Sequence, residues 1–208
     1  MQNSNIIKGF VVLEGIDGSG TTTQVLRLKN WLTNCGKSVF TTCEPTENEI
    51  GLFLRRCLSK KTTVQAETMP FLFASDRSEH IYGDNGILHH IQKGSIVISD
   101  RYLFSSLAYQ GASGFFELAK KLNADFPLPE ILFYFDIQPS RAFQRIEKRG
   151  TQKELYEVLQ FQEKVAAQYE LTLAHFETSP MRIIRIPAEQ PEDIVFENLK
   201  TSLQMIFA

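Results

Sequence analysis

A glycine-rich segment, GIDGSGTTTQ from Gly15 to Gln24, directly follows the apolar run Phe10-Val11-Val12-Leu13. Gly15, Gly20 and Thr22 keep the first, sixth and eighth positions of the phosphate-loop pattern G-x-x-x-x-G-K-[ST]. In that pattern the glycines let backbone N–H groups turn inward around phosphate oxygens, and the following helix presents its positive N-terminus. The segment therefore predicts a phosphate-binding loop between a strand and a helix.

Thr21 stands where this pattern carries its lysine. A charged hydrogen bond to the outer phosphates is worth about 1.5–3 kcal/mol. Its loss during phosphoryl transfer would cost about 10- to 100-fold in rate, unless another cation takes its place. Thr22 keeps the hydroxyl that coordinates Mg²⁺ in such loops.

A second polar segment, SDRYLFSSLAYQG from Ser99 to Gly111, follows another apolar run. An aspartate at the end of a strand beside a phosphate loop can hold a metal-bound water, which makes Asp100 a candidate metal residue together with Thr22. The neighbouring Arg101 can bind a second phosphate bidentately. Two phosphorylated ligands are therefore expected at one site.

Short β-rich apolar runs alternate with longer amphipathic stretches, a pattern typical of an α/β fold with a parallel sheet and helices on both faces. The ligand site of such a sheet lies at the carboxyl ends of its strands. The predicted strands are 10–14, 38–42, 96–99, 131–135 and 182–186. The predicted helices cover the stretch after the loop up to Gly36, then 49–59, 67–93 with breaks near Gly83 and Gly86, 140–149, 154–177 and 191–206.

Length and composition predict a single domain, 1–208, of ordinary globular composition. A formal charge of −2 without a basic run argues against a nucleic-acid partner. The N-terminus has no apolar stretch of signal-peptide length and no segment is long enough to span a bilayer, so a cytoplasmic location without a membrane partner is expected. Cys35, Cys43 and Cys57 lack the spacing of a zinc site or a disulfide framework.

The second polar segment resembles the thymidylate kinases, a family of P-loop nucleoside monophosphate kinases. In that family Asp-Arg-Tyr followed by Ser-x-x-Ala-Tyr-Gln-Gly holds the nucleoside monophosphate, and this chain has Asp100-Arg101-Tyr102 and then 105–111 with the same pattern. The segment FLFASDRSEH is similar to the family's helix in which a phenylalanine stacks on thymine and an arginine bonds the base. The resemblance assigns these roles to Phe73 and Arg77.

The segment TCEPTENEIGLFLR resembles the family's Arg-Glu-Pro-Gly-Gly-Thr segment and its following arginine, with Glu44, Pro45 and Arg55 retained. Cys43 stands at the usual arginine, and Thr46-Glu47 replace the two glycines, so a second expected charge is missing. Asp17 corresponds to the family's acidic residue near the substrate sugar and phosphate. The resemblance implies substrate contacts for ten residues: Asp17, Glu44, Arg55, Phe73, Arg77, Arg101, Ser105, Ser106, Tyr109 and Gln110.

The stretch 133–150 resembles the family's fourth strand and the helix entering its mobile lid, which we place at about 145–157. Arg145, Arg149 and Lys153 are the candidates to replace the missing loop lysine when the lid closes. The resemblance covers nearly the whole chain and implies a three-layer P-loop NTPase fold with a five-stranded parallel sheet. It also implies a homodimer packed through helices.

The expected reaction is transfer of the γ-phosphoryl group of ATP to dTMP, with Mg²⁺ as cofactor. The residues expected to bind ATP are Gly15, Ile16, Asp17, Gly18, Ser19, Gly20, Thr21, Thr22, Thr23 and Arg145. The expected catalytic residues are Asp17, Asp100, Arg101, Arg145, Arg149 and Lys153. Two alternatives stay open at this point: a kinase for another nucleoside monophosphate or a deoxynucleoside, and a nucleotide-binding regulator that lost activity with its loop lysine.

Overall fold

The central sheet has five parallel strands in the order β2-β3-β1-β4-β5. The computed structural model describes residues 5–149, 156 and 158–207. The strands are β1 (Ile6–Glu14), β2 (Val39–Cys43), β3 (Ile96–Asp100), β4 (Leu128–Asp136) and β5 (Arg182–Pro187). The α/β class and the five-stranded parallel sheet are thereby confirmed.

Phe10, Val11, Val12 and Leu13 of β1 are fully buried. Such a continuous apolar run is what a central strand needs when both of its faces are covered. The strand pairs with β3 on one side and β4 on the other, with Leu13 opposite Asp100 and Glu14 opposite Tyr134. In β2, Cys43 lies opposite Asp100. The polar residues that end these three strands therefore meet at one edge of the sheet.

The helices connect successive strands, as parallel pairing requires. Helix α1 contacts β1, β2 and β3, α4 contacts β1 and β3, and α9 contacts β5 and α1. The described helices are α1 (Thr21–Asn34), α2 (Glu49–Leu58), α3 (Thr68–Tyr82), α4 (Ile87–Gln92), α5 (Leu103–Ala112), α6 (Phe116–Asn123), α7 (Pro139–Arg149), α8 (Leu159–Phe176) and α9 (Glu192–Phe207). Within the described ranges, no helix is both long and apolar enough to cross a membrane.

The sequence prediction of the elements was wrong in two respects. It named no helix between 100 and 131, where α5 and α6 lie. It also began β1 and β4 too late, because Gly9 and Pro129 argue against a strand. The two strands nevertheless pair from Ile6 opposite Leu128 onward, with an irregular register between Ile7 and Val11 that accommodates Gly9 at φ +76°.

The breaks predicted near Gly83 and Gly86 are confirmed, since α3 ends at Tyr82 and α4 begins at Ile87. Helix α8 begins at Leu159, because Val158 is extended. The predicted helix 154–177 is therefore wrong at its start: Tyr156 lies in a turn and Val158 is extended, while 154, 155 and 157 lie outside the described ranges, as does most of the predicted lid.

Candidate active site

A cleft of about 1080 Å³ opens at the carboxyl ends of β1, β2 and β3. Its floor is the loop that joins β1 to α1, and its walls come from α2, α3, α5, α7 and the segment between β5 and α9. This is the edge of the sheet at which the sequence predicts a ligand site.

The loop from Gly15 to Gly20 turns tightly before α1 begins at Thr21. Gly20 has φ +99° and Gly18 has φ +83°, conformations that side-chain-bearing residues rarely adopt. At Gly18 a Cβ would also come within 2.4 Å of the carbonyl oxygen of Ala142 in α7. The glycines therefore let the loop curl and let α7 approach it.

Thr22 and Asp100 line the cleft in direct contact with each other. The Thr22 hydroxyl donates to Oδ2 of Asp100 at 2.5 Å. The other carboxylate oxygen, Oδ1, is buried and has no hydrogen-bond partner among the described residues. One carboxylate and one hydroxyl suit Mg²⁺, which takes one or two protein ligands and fills its sphere with waters and substrate phosphates. The two residues therefore fit the expected cofactor.

Arg101 lies between the loop and α5. Its Nη2 is 2.6 Å from Oδ1 of Asp17, and its Nη1 donates to the Gly15 carbonyl oxygen and the Ser105 hydroxyl, both at 3.1 Å. The guanidinium also lies over the ring of Tyr109, 5.1 Å from its centroid. This places a positive charge directly beside the phosphate loop.

Asp17 is held by a residue that the sequence analysis did not single out. Gln162 of α8 is fully buried; its Nε2 donates to Oδ2 of Asp17 at 2.8 Å, and its Oε1 accepts the Asp17 backbone N–H at 3.2 Å. The same Nε2 donates to the carbonyl oxygen of Tyr156 at 2.8 Å. Helix α8 and the end of the predicted lid are thus joined to the loop.

Arg145 of α7 contacts the phosphate loop at Ser19, whereas Arg101 contacts it at Gly15 and Asp17. Its guanidinium donates to the carbonyl oxygens of Ser19 at 3.3 Å and Ala188 at 2.9 Å. Of the three cations considered as replacements for the loop lysine, Arg145 lines the cleft. The Arg149 side chain and Lys153 lie outside the described part of the chain.

The far end of the cleft is lined by Phe73 and Arg77 of α3. Arg77 is almost fully buried. Its guanidinium donates to Oε2 of Glu44 at 2.5 Å, to the Ser106 hydroxyl at 2.9 Å and to Oδ1 of Asn123. Its Nε is buried and has no partner among the described residues. Nη1 and Nη2 thus fix the side chain, while the buried Nε–H is left unpaired by the described residues.

Glu44 is the centre of this buried network. Its second oxygen, Oε1, lies 2.9 Å from Nδ1 of His80, whose Nε2 lies 2.7 Å from the Thr42 hydroxyl. Burial by itself raises the pKa of Glu44, but Arg77 and His80 together lower it below its ordinary value. The carboxylate therefore stays ionised and anchors Arg77.

Arg55 approaches the end of β2, where the resembled family has an arginine and this chain has Cys43. Its Nη2 donates to Sγ of Cys43 at 3.2 Å and to the Pro45 carbonyl oxygen. Burial raises the pKa of the Cys43 thiol, so this residue carries no charge of its own at neutral pH. The retained Arg55 thus contacts the position at which the second arginine of the family is absent.

The cleft brings together nearly all the residues predicted from sequence for the site. Gly15 contributes its carbonyl oxygen to Arg101, and the other predicted residues whose side chains the structure describes line the cleft. Three buried residues were missed: Glu14, Asn123 and Gln162. For Glu14 a signal existed, since a carboxylate directly follows the apolar run Phe10-Val11-Val12-Leu13. Asn123 and Gln162 lie far along the chain from the side chains that they hold.

Comparison with known proteins agrees with this geometry. Residues 13–199 match the family model described as thymidylate kinase. A Treponema pallidum protein named "Putative thymidylate kinase" is 42% identical over 198 residues, covering 94% of each chain. A "Probable thymidylate kinase" of Pyrococcus abyssi is 40% identical, covering 89% of this chain and 93% of that one. The "Thymidylate kinase" of Leptospira borgpetersenii is 34% identical, covering 94% and 93%.

Proposed function

Because the chain belongs to the thymidylate kinase family, we propose that it transfers the γ-phosphoryl group of ATP to dTMP, giving dTDP and ADP. One structural observation supports the proposal independently of family membership. The Arg101–Asp17 ion pair joins the loop that would hold the donor phosphates to the strand end that would hold the acceptor phosphate. Phosphoryl transfer depends on bringing two such phosphates into line.

The donor half of the site is the loop from Gly15 to Thr23. Its backbone N–H groups and the N-terminus of α1 would bind the phosphates of ATP. Thr22 and Asp100 would hold Mg²⁺, which when bound neutralises charge on the phosphate oxygens. Arg145 would add a positive charge at the outer side of the loop, in place of the absent lysine.

The acceptor half of the site is Arg101, with Asp17 beside it and Arg55 at the end of β2. Arg101 would bind the phosphate of dTMP through its guanidinium. Asp17 orients that guanidinium and, held in turn by Gln162, would orient the acceptor. Arg101 and Asp17 would thus align a phosphate oxygen of dTMP with the γ-phosphate of ATP. The protein itself forms no covalent bond in this reaction.

The base is expected to lie at the far end of the cleft. Phe73 would stack on the ring, while Ser106, Tyr109 and Gln110 line the same region. The free Nε of Arg77 is a donor and suits a carbonyl oxygen on the edge of the base. Thymine offers carbonyl oxygens, whereas cytosine has an amino group at position 4 and would leave a buried donor facing another donor. Such a mismatch leaves both groups unpaired and is strongly rejected.

The direct test is ADP release with ATP and Mg²⁺ in the presence of each of dTMP, dUMP, dCMP, dAMP, dGMP and thymidine. We expect dTMP to give the highest kcat/KM and dCMP at least about 100-fold less. Thymidine, which lacks the phosphate that Arg101 would bind, should give no turnover. Equal turnover of dCMP would contradict the base assignment, and nucleotide binding without turnover would favour a regulator.

Three further parts of the sequence prediction stay proposals: closure of a lid at about 145–157, a cytoplasmic location and a homodimer. Leu52 of α2 and Phe71 of α3 are large apolar side chains about half exposed, which supports pairing through helices. Sedimentation velocity should show a dimer, and Phe71→Glu should shift it toward monomer. Leu171→Glu, which changes a similarly exposed residue on α8, serves as its control.

A further inference from the structure

We infer that Glu14, the last residue of β1, is a positioning residue for phosphoryl transfer that holds both the backbone and the guanidinium of Arg101 in their working conformation. Glu14 precedes the phosphate loop and is fully buried. It reaches no ligand in the proposed reaction. Its four hydrogen bonds instead go to the segment that carries Arg101 and to α8.

The first contact is with the start of α5. Oε1 of Glu14 accepts the backbone N–H groups of Tyr102 at 2.8 Å and Ser105 at 3.1 Å. Helix α5 has no hydrogen bond from an N-cap side chain of its own. The carboxylate of β1 thus satisfies N–H groups that a helix start otherwise leaves without partners.

Arg101 directly precedes this helix start and has φ +74°, in the left-handed region. A side-chain-bearing residue in that region is strained and persists only where its surroundings hold it. Here β1 accepts hydrogen bonds from the backbone N–H groups on both sides of the Arg101 Cα atom. The Arg101 N–H donates to the Leu13 carbonyl oxygen at 2.9 Å, and the Tyr102 N–H donates to Glu14.

The other carboxylate oxygen of Glu14 is linked to the Arg101 guanidinium through Ser105. The Ser105 hydroxyl donates to Oε2 of Glu14 at 2.5 Å and accepts a hydrogen bond from Nη1 of Arg101 at 3.1 Å. The hydroxyl of Tyr169 in α8 also lies 2.8 Å from Oε2. Glu14, Ser105, Arg101 and Asp17 therefore form one continuous chain of hydrogen bonds, from the sheet to the phosphate loop.

The negative charge of Glu14 is what this arrangement uses, because its contacts come from donors. Burial raises the pKa of Glu14 to about 7, while Arg101, Ser105, Tyr169 and the Tyr102 N–H act in the opposite direction. The ionisable groups facing it are Arg101 before α5, Tyr169 of α8 and Tyr134 of β4. Protonation of Glu14 would add a hydrogen to a carboxyl group that already accepts four hydrogen bonds. At least one of those bonds would weaken, and Arg101 would be held less firmly.

The inference rests on the proposed function, because it assumes that Arg101 binds the acceptor phosphate. Its test is a double-mutant cycle in the full-length enzyme, with Glu14→Gln, Ser105→Ala and the double variant, measuring kcat and KM for dTMP at pH 8. We expect kcat/KM for dTMP to fall by about 10- to 100-fold in each single variant, with the KM for ATP nearly unchanged. The double variant should lose no more than Glu14→Gln alone, since both changes break one chain of contacts.

Glu130→Gln is the matched control. Glu130 is a carboxylate on β4 that accepts a backbone N–H from Gly9 at 2.7 Å, at the other end of the sheet from the cleft. This variant should keep the wild-type kinetics. Losses that simply multiply in the double variant, or a Glu14→Gln enzyme within threefold of wild type, would overturn the inference.

The pH profile provides a readout that a merely structural role would not change. In the wild type, kcat/KM for dTMP should decline below about pH 7 as Glu14 is protonated. In Glu14→Gln the decline should move toward about pH 6, where the substrate phosphate itself is protonated. Identical profiles would contradict the inference.

A second variant and a second measurement distinguish failure of this inference from misfolding and from failure of the proposed function. If Glu14→Gln does not fold, Ser105→Ala alone decides, because it keeps the carboxylate and both of its backbone contacts; wild-type kinetics there would overturn the inference. If the wild type does not phosphorylate dTMP, the proposed function fails. A crystal structure of Glu14→Gln then decides about Glu14: an Arg101 with unchanged φ and an unchanged Asp17 contact would contradict the inference.

Discussion

Arg101 stands where the two phosphates of the proposed reaction would meet, with one edge of its guanidinium on Asp17 and its Nη1 on Gly15 and Ser105. A flexible cation would lose entropy each time it bound a phosphate. An arginine already fixed by these contacts loses less, which lowers the cost of binding the acceptor. Function at this position therefore depends on the contacts around the charge as much as on the charge itself.

Arg101→Ala should nearly abolish dTDP formation, by at least about 100-fold in kcat/KM, because a charged contact to the acceptor is lost and Asp17 loses its ion-pair partner. Steady-state kinetics with varied dTMP measures the effect. Arg185→Ala is a suitable control, since Arg185 forms a half-exposed ion pair with Glu170 and does not line the cleft. Near wild-type turnover in Arg101→Ala would disprove the assignment.

Thr21→Lys should leave activity unchanged or raise it, by up to about 100-fold in kcat, because it restores the customary charge at the start of α1. Leu26→Lys adds the same charge at an exposed position of the same helix and should have no effect. The measurement is kcat at saturating ATP and dTMP. A large loss of activity in Thr21→Lys would mean that another cation already occupies the site of the lysine amine.

At the scale of elements, α6 supports the proposed base site from outside the cleft. Asn123, the last residue of α6, accepts a hydrogen bond from Arg77 and is itself held by the Ala119 carbonyl oxygen at 2.7 Å. Arg77 belongs to α3, so this contact ties two helices together at the point where the base would bind. The position of Nε then depends on how α6 packs against α3.

Asn123→Ala should raise the KM for dTMP by about tenfold with kcat little changed, because it loosens Arg77 without touching the phosphates. It should also lower the free energy of unfolding by about 1–3 kcal/mol, because a buried N–H of Arg77 loses its acceptor. Kinetics and urea unfolding measure the two effects. Asn34→Ala, at the exposed end of α1, is the control; an unchanged KM in Asn123→Ala would contradict the prediction.

At the scale of the whole molecule, Glu14 couples folding to pH. The pKa of its carboxyl is about 7 in the folded protein, against an ordinary value of 4.5. Between these values the folded state binds more protons than the unfolded state, so the free energy of unfolding falls as the pH rises through this window. The raised pKa corresponds to about 3 kcal/mol once the pH exceeds 7.

Glu14→Gln should therefore lack this decline. Measured by urea unfolding, the stability of the wild type relative to Glu14→Gln should fall by about 2.5 kcal/mol between pH 5 and pH 8. Glu130→Gln should follow the wild type over the same range. A constant difference between wild type and Glu14→Gln would mean that the carboxyl titrates with the same pKa in both states.

The sequence by itself determined the features that depend on neighbouring residues. A continuous apolar run followed by spaced glycines predicts a central strand and a phosphate loop, since burial and close backbone approach are local requirements. The same holds for Asp100 and Arg101 after β3 and for the pair Phe73 and Arg77 on one face of α3. Helix α5 was missed because seven of its ten residues are buried, so its sequence lacks the one-sided apolar pattern that indicates a helix.

Only the tertiary structure decided which distant side chains hold these residues. The contacts of Asp17 with Gln162, of Arg77 with Asn123 and of Glu14 with Tyr169 span 46 to 155 positions in the chain. A polar side chain has the same type whether it faces water or a buried charge, so its partner depends on which elements the strand order brings together. The residues proposed to contact the substrates could be predicted from the sequence. The residues that hold them in position could be identified only after the sheet and helices had packed.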